Sequence, residues 1–234
     1  IGTGWVFVVN GLSFVAVIGS LMRLRAIRSS SRAPKGRGGL FEGFRYVWQR
    51  PDIRTVLLML LIVGTFGLNF PIFISTMAVG PFGMGAGQFG LLTSIMAVGS
   101  VLGALLAARR ARPRIPLLVY GAAAFGVATA LAAIAPSYIT FGIFLVAVGV
   151  SAQTFTTTTN SYVQISTVPV MRGRVLAILL AITLGGTPLG APVIGHIADT
   201  FGPRWAMGAG AMAGLVAALV GMVALPRSDP DAAR

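Results

Sequence analysis

The 234-residue chain lacks cysteine, has a single histidine and has only five acidic residues. Without cysteine there is neither a disulfide framework nor a thiolate site. So few carboxylate and imidazole groups make a protein-built metal site improbable. We therefore expect no metal and no cofactor.

The charge that is present is strongly of one sign, with 18 basic residues and a net charge of +13. In a soluble protein, basic residues mixed with polar and aromatic ones on one face would suggest a nucleic-acid partner. Here the basic residues lie between long apolar segments instead. No nucleic-acid partner is expected.

Hydrophobic residues make up 56% of the chain and charged residues 10%. The apolar runs are long enough for α-helices to cross a hydrocarbon core about 30 Å thick. The sequence therefore predicts an all-α polytopic membrane protein whose partner is the lipid bilayer. The seven predicted spans are Trp5–Met22, Val56–Val79, Phe89–Ala108, Ile115–Ala135, Tyr138–Tyr162, Val175–His196 and Trp205–Leu225.

Most basic residues lie in loops on one side of the predicted membrane spans. When alternate loops are assigned to the same side, 17 of the 18 Lys and Arg residues lie together, and Arg204 alone lies opposite. The positive-inside rule makes the basic side, which carries the C-terminus, cytoplasmic at the cell membrane. The first span then runs inward, which together with the initial Ile1 predicts a truncated start after an odd number of helices.

The longest loop divides the chain into parts. Residues 1–22 form the first span, 23–54 a basic linker, 55–226 six further spans and 227–234 a tail. Within the linker, residues 40–49 place apolar side chains at helical spacing. This predicts an amphipathic helix, either an anchor in the headgroup layer or a helix docked against another half of the protein. Six spans arranged as three plus three are typical of secondary transporters.

Four stretches, in order along the chain, resemble one family. They are GWVFVVNGLSF, FEGFRYVWQRPDIR, QISTVPVMRGRV and GGTPLGAPVIGHIADTFGPR. They resemble the major facilitator superfamily, specifically its drug and siderophore exporters similar to the enterobactin exporter.

The resemblance implies that the seven spans are helices 6 to 12 of a twelve-helix fold. The last six would form the C-terminal bundle, with a missing N-terminal helix bundle as partner. It also implies a non-enzymatic exporter that moves a small amphipathic substrate by alternating access.

One departure from the family pattern concerns its cytoplasmic motif G-x-L-x-D-R-x-G-R. At Gly103–Arg109 this sequence has Ala107 where the family has aspartate. Charge-pair gating must therefore use other residues or the missing half. The basic residues singled out in cytoplasmic loops are Arg109, Arg110, Arg172 and Arg174.

The resemblance implies that the second and fifth spans line the central cavity. In the fifth span, Gln153, Thr157, Asn160 and Gln164 are spaced four, three and four residues apart and share one helical face. Side-chain amides facing lipid would be unsatisfied, so this face is predicted to line a cavity or to pack against another helix.

In the second span, Asn69 lies beside Pro71. A proline there leaves backbone carbonyls without their helical donor. Asn69 is predicted either to contact substrate or to form part of a structural kink. Phe66 and Phe73 are candidate apolar walls of the same cavity.

Small residues in two spans predict close helix packing, and two prolines predict a bend. Gly99 and Gly103 of the third span follow small-xxx-small spacing, as do Gly186 and Gly190, with Gly195 nearby, in the sixth. Pro188 and Pro192 are candidate bending positions for alternating access.

His196 and Asp199 lie three residues apart near the outer end of the sixth span. They are a candidate ion-coupling pair, although a solvated helix end explains them without any special role. No acidic residue lies well inside a predicted span, so the titrating carboxylate of a proton-driven transporter is expected in the missing half.

Two alternatives stay open at this point. Gly149–Ala152 resembles the G-x-S-x site of an intramembrane serine protease, but Ser151 lies roughly 20 Å deeper than His196, and a nucleophile and its base must be in contact. The chain could also be a non-transporting fragment, or a half-transporter that assembles with a separate N-terminal half.

Overall fold

The structure is a computed structural model, and it describes residues 3–23, 40–108 and 115–224. The chain separates into two units, residues 1–37 and 38–234. The first contains the helix α1, Thr3–Arg23. Its 21 residues would extend about 31 Å, which is the length needed to cross a hydrocarbon core.

The described residues of the second unit form eight further α-helices and one short π-helical segment. They are α2 (Leu40–Gln49), α3 (Pro51–Ile62), the π-turn (Val63–Gly67), α4 (Phe70–Val79), α5 (Ala86–Ala108), α6 (Ile115–Ala133), α7 (Tyr138–Ser166), α8 (Pro169–Phe201) and α9 (Pro203–Ala224). The part of the chain that the structure describes contains no β-strand.

Among the residues described for the second unit, six helical segments are long and apolar enough to cross a membrane, with α3, the π-turn and α4 counted together. The prediction of an all-α polytopic membrane protein is confirmed. The predicted span Trp5–Met22 lies within α1.

Helix boundaries follow local sequence signals. Pro51, Pro169 and Pro203 each lie in the first turn of a helix, where a missing N–H removes no helical hydrogen bond. The Ser137 hydroxyl accepts a hydrogen bond from the Thr140 N–H and so caps α7. Gly202 separates α8 from α9 with φ +101°, a left-handed conformation that favours glycine.

The bundle packs through small residues that bring helix backbones together. At the α5–α7 crossing, a Cβ added to Gly99 would meet the backbone of Val146. At the α6–α9 crossing, a Cβ added to Gly126 would lie 2.8 Å from the Leu215 nitrogen. These contacts position α7 against α5, and α9 against α6, without intervening side chains.

Helix α2 docks against α8 of its own unit. A Cβ added to Gly43 would lie 3.0 Å from the Cβ of Arg174, and the Glu42 carboxylate pairs with the Arg174 guanidinium at 2.7 Å. Val47 is buried, whereas Trp48 and its neighbours Phe41 and Phe44 are exposed. The apolar residues predicted to share one surface are therefore divided between a docked face and an exposed face.

Candidate functional site

The second predicted span is broken in its middle. After α3 the chain forms a π-turn, in which the Leu68 N–H donates to the Val63 carbonyl at 3.0 Å. Pro71 has no N–H to donate, and the helix begins again at Phe70. The sequence predicted one continuous span with a kink, and it missed the π-turn.

The side chain of Asn69 forms a hydrogen bond across this break. It is fully buried at the start of α4, and its Nδ2 donates to the Thr65 carbonyl at 2.7 Å. Its Oδ1 is buried and has no hydrogen-bond partner among the residues described. A buried acceptor without a donor is costly, so the break holds an unused hydrogen-bonding group.

The break lies near mid-membrane depth. A Cβ added to Gly67 would lie 2.8 Å from the ring of Phe125, and the Phe70 ring packs edge-on against Phe125 at 6.2 Å between centroids. Phe125 is ten residues from Ile115 and eight from Ala133, the two ends of α6. Since α6 would extend about 29 Å, Phe125 lies near the bilayer centre.

Helix α8 closes tightly on the break. A Cβ added to Gly186 would lie 3.1 Å from the Gly64 carbonyl carbon, and one added to Gly190 would overlap the Thr65 carbonyl. The predicted packing at Gly186 and Gly190 therefore involves the backbone of the π-turn. A Cβ added to Gly195 would meet no atom within 4 Å, so no close helix packing occurs there.

The two residues predicted to form apolar walls of the cavity differ in their exposure. Phe66 is 37% exposed, whereas Phe73 is fully buried. The Phe73 ring packs against α9, where a Cβ added to Gly210 would lie 2.7 Å from it. Only Phe66 reaches the surface of the bundle in this conformation.

The polar stripe of α7 lies at its less buried positions. Gln153, Thr157 and Asn160 are half-buried, and Gln164 is exposed. The Gln153 Nε2 donates to the Thr157 hydroxyl at 3.1 Å, and the Asn160 Nδ2 donates to the Thr156 carbonyl at 2.9 Å. The buried polar residues lie on the rest of the helix and are Ser151, Thr154, Thr158 and Thr159.

The members of the stripe differ in depth. A Cβ added to Gly121 would lie 3.4 Å from the Phe155 Cα, and Gly121 is six residues, about 9 Å, from the start of α6. Gln153 therefore lies about 12 Å inside that end of α6, and Thr157 about 6 Å inside it. Asn160 lies near its edge. Within the stripe, Gln153 and Thr157 are the residues that carry polar groups well into the hydrocarbon region.

Gln153 also lies at the edge of the α5–α7 crossing. A Cβ added to Gly103 would meet the Val150 backbone and would lie 3.1 Å from the Gln153 Cβ. From Gln153 the stripe continues toward the C-terminal end of α7. Among the described hydrogen bonds, none joins Asn69 to the stripe.

A polar cluster that the sequence analysis missed lies at the end of the bundle where α3 begins. The Arg50 guanidinium donates to both carboxylate oxygens of Asp52, at 2.7 and 3.0 Å. The Tyr162 hydroxyl of α7 donates to the same carboxylate at 3.3 Å. Hydrogen bonding to Asp52 raises the pKa of Arg50 above its usual value. The Pro51–Asp52 helix start was the available signal.

The candidate ion-coupling residues do not meet. His196 and Asp199 are both exposed on α8, and no ion pair joins them in the described part of the chain. The Ser151 hydroxyl donates to the Ala147 and Val148 carbonyls of its own helix, and His196 is not among its partners.

The remaining predicted residues are placed simply. Pro188 and Pro192 are exposed inside α8, which stays continuous through both. Arg172 is exposed near the start of α8, where Arg174 pairs with Glu42. Arg109 and Arg110 lie outside the described residues.

A major facilitator family model described as a transmembrane secretion effector matches residues 1–233. A search of curated proteins finds no match.

Proposed function

The chain belongs to the major facilitator superfamily of transmembrane transporters, and we propose that it exports small amphipathic molecules such as drugs or siderophores. Transport would proceed by alternating access, at the cell membrane, with the C-terminus in the cytoplasm. The substrate would lie against the Gln153 face of α7.

The observation that carries this proposal is the depth and exposure of Gln153. Its amide is half-buried about 12 Å inside the end of α6, in a helix long and apolar enough to span a membrane. An amide facing hydrocarbon would cost several kcal/mol, because lipid offers no hydrogen-bonding partner. A water-filled or substrate-filled space beside Gln153 and Thr157 satisfies these groups.

The break between α3 and α4 supplies a candidate moving element at similar depth. The π-turn interrupts the regular α-helical hydrogen bonding, and the buried Asn69 Oδ1 has no donor among the described residues. Opening the break would let Asn69 reach a substrate donor. Phe66 is the aromatic side chain already at the surface there. Discontinuous helices at the midplane are a common source of substrate contacts in transporters.

A second helix bundle completes the proposed transporter. Helices α3 to α9 would be its helices 7 to 12, α1 its sixth, and the remaining helices a partner unit. A cavity between two rocking units would expose the α7 stripe to alternate sides. If protons drive export, we place their carriers in that partner rather than at His196 and Asp199, which do not pair.

An efflux assay tests the cavity. Cells would express the chain with its natural adjoining sequence, and export of a panel of amphipathic dyes and siderophores would be followed at matched expression. For at least one substrate, Gln153→Ala should reduce efflux about tenfold, which corresponds to one lost hydrogen bond. Asn69→Ala serves as the second variant.

The matched control is Ser94→Ala. The Ser94 hydroxyl donates to the Gly90 carbonyl of its own helix, so its removal should leave efflux unchanged. If neither Gln153→Ala nor Asn69→Ala changes the export of any substrate, the cavity assignment is wrong.

A further inference from the structure

An apolar groove opens between α6, α8 and α9, away from the α7 stripe. It encloses about 880 Å³, within the range of small-molecule sites. Its walls include Ala130 of α6 and Ile134 directly after that helix, Ile197 and Phe201 of α8, and Trp205 and Met212 of α9. Ile134, Phe201, Trp205 and Met212 are mostly exposed. In a membrane-spanning bundle, such a surface requires an apolar occupant.

One cation lies at the end of this groove. The Arg204 guanidinium donates to two carbonyls at the C-terminal end of α6, to that of Ala133, its last residue, at 3.4 Å and to that of Ala135 at 3.0 Å. Arg204 also lines the groove, and no carboxylate pairs with it among the residues that the structure describes. A guanidinium has five N–H donors, so these two contacts leave others for an anion.

The groove has the length of one lipid leaflet. Along α9 it extends from Arg204 to Leu215, which is eleven residues or about 16 Å. Half of a hydrocarbon core is about 15 Å. Trp205 lies at the same end as Arg204, and tryptophan favours the membrane–water interface. The charged end and the apolar length therefore match a headgroup and an acyl chain.

We propose that this groove binds one phospholipid, with an acyl chain between α6, α8 and α9 and its phosphate on Arg204. The arginine suits a phosphate because its N–H groups can donate to two phosphate oxygens at once. The remaining walls are apolar, so they supply no partner for the polar groups of a hydrophilic solute. The proposal requires only that the bundle spans a membrane, and it holds whether or not the chain exports drugs.

Tryptophan fluorescence tests this site locally. The chain has three tryptophans, so Trp5→Phe and Trp48→Phe leave Trp205 as the reporter. The protein, purified in a non-ionic detergent, would be titrated with phosphatidylglycerol carrying brominated acyl chains, which quench nearby tryptophan. Saturable quenching is expected. Brominated diacylglycerol, which has the same chains but no phosphate, should quench at about tenfold higher concentration.

Two variants separate the acyl chain from the phosphate. Gly208 lines the groove, and a Cβ added to it would meet no atom within 4 Å, so Gly208→Leu fills the groove without a backbone clash. It should abolish saturable quenching. Arg204→Gln should remove the preference for phosphatidylglycerol, and Arg204→Lys should restore part of it.

The control is Gly185→Leu, since Gly185 is equally open but does not line the groove. In this variant, brominated phosphatidylglycerol should quench Trp205 as it does in the parent. The proposal is overturned if Gly208→Leu binds phosphatidylglycerol as the parent does, if diacylglycerol binds equally well, or if an exported dye occupies the groove in preference to the phospholipid.

Discussion

At single positions, the packing of this bundle depends on which glycines face another backbone. Gly186 and Gly190 contact the π-turn, whereas Gly195, five residues further along the same helix, faces open space. All three fit the spacing that predicts close packing, or nearly so. Sequence spacing identifies a helical face, but it does not specify where along that face a neighbouring helix crosses.

The first prediction concerns Gly190→Ala. Its Cβ would overlap the Thr65 carbonyl, and backbone cannot move aside as a flexible side chain can. Overpacking of this kind costs about 1–3 kcal/mol. We expect a melting temperature several degrees below that of the parent, measured on protein purified in detergent.

Gly195→Ala is the control for this variant, because the same chemical change is made in the same helix without a neighbour. Alanine favours helix over glycine by up to about 1 kcal/mol, so its melting temperature should be equal or higher. Identical melting of the two variants would show that α8 does not contact the π-turn at Gly190.

At the scale of whole elements, the sequence predicted which helices exist better than where they end. The span predicted at Val175–His196 is part of α8, which begins six residues earlier and ends at Phe201. A span predicted from hydropathy ends near charged residues such as Arg172 and Asp199. The helix continues past them because its backbone hydrogen bonds do not depend on apolar side chains.

The second span and α2 show the same limit of sequence-based prediction. Pro71 predicted a kink in the second span, and the structure has a break there. Gly186 and Gly190 of α8 pack against the π-turn, and this tertiary contact cannot be located from the spacing of residues in the second span. For α2, periodicity predicted a helix over 40–49 and could not reveal that Gly43 and Val47 dock on α8.

The second prediction concerns the prolines inside α8. Pro188 and Pro192 have no N–H, so the carbonyls of Leu184 and Pro188 lose their helical donors. Replacing both prolines with alanine restores those bonds and should stiffen the helix. If α8 bends during transport, the double variant should export more slowly at matched expression, without a lower melting temperature.

Pro169→Ala provides the comparison, because Pro169 lies in the first turn of α8, where no helical bond is lost. Its transport should match that of the parent. Unchanged export by the Pro188→Ala, Pro192→Ala double variant would remove bending of α8 from the proposed mechanism.

At the scale of the whole six-span unit, the contacts agree with one basic end and one nearly uncharged end. The Asp52–Tyr162 contact joins α3 to α7 at the first, and the Tyr138 hydroxyl joins α7 to the Gln88 carbonyl of α5 at the second. Both contacts join helix ends that the alternation of loops predicts to lie on the same side of the membrane. The sequence does not predict which helices pack together there, and the depth of Gln153 could be estimated only from the contact between α6 and α7.

The third prediction concerns which end faces the cytoplasm. Because the chain has no cysteine, one introduced cysteine reports one position. Gln49→Cys marks the basic end and Gly85→Cys the opposite end, and both sites are exposed. A Cβ at Gly85 would make only an ordinary contact, 3.6 Å from the Gln88 Oε1. Any cysteine in the adjoining natural sequence would be replaced.

If the positive-inside rule orients this protein, a membrane-impermeant maleimide should label Gly85→Cys on intact cells. It should label Gln49→Cys only after the cells are permeabilised. The reverse labelling pattern would mean that the basic end faces outward. Arg204 and its groove would then lie in the cytoplasmic leaflet. Labelling of both positions from outside would mean that α3 to α4 does not cross the bilayer, because a single span between them must separate the two cysteines.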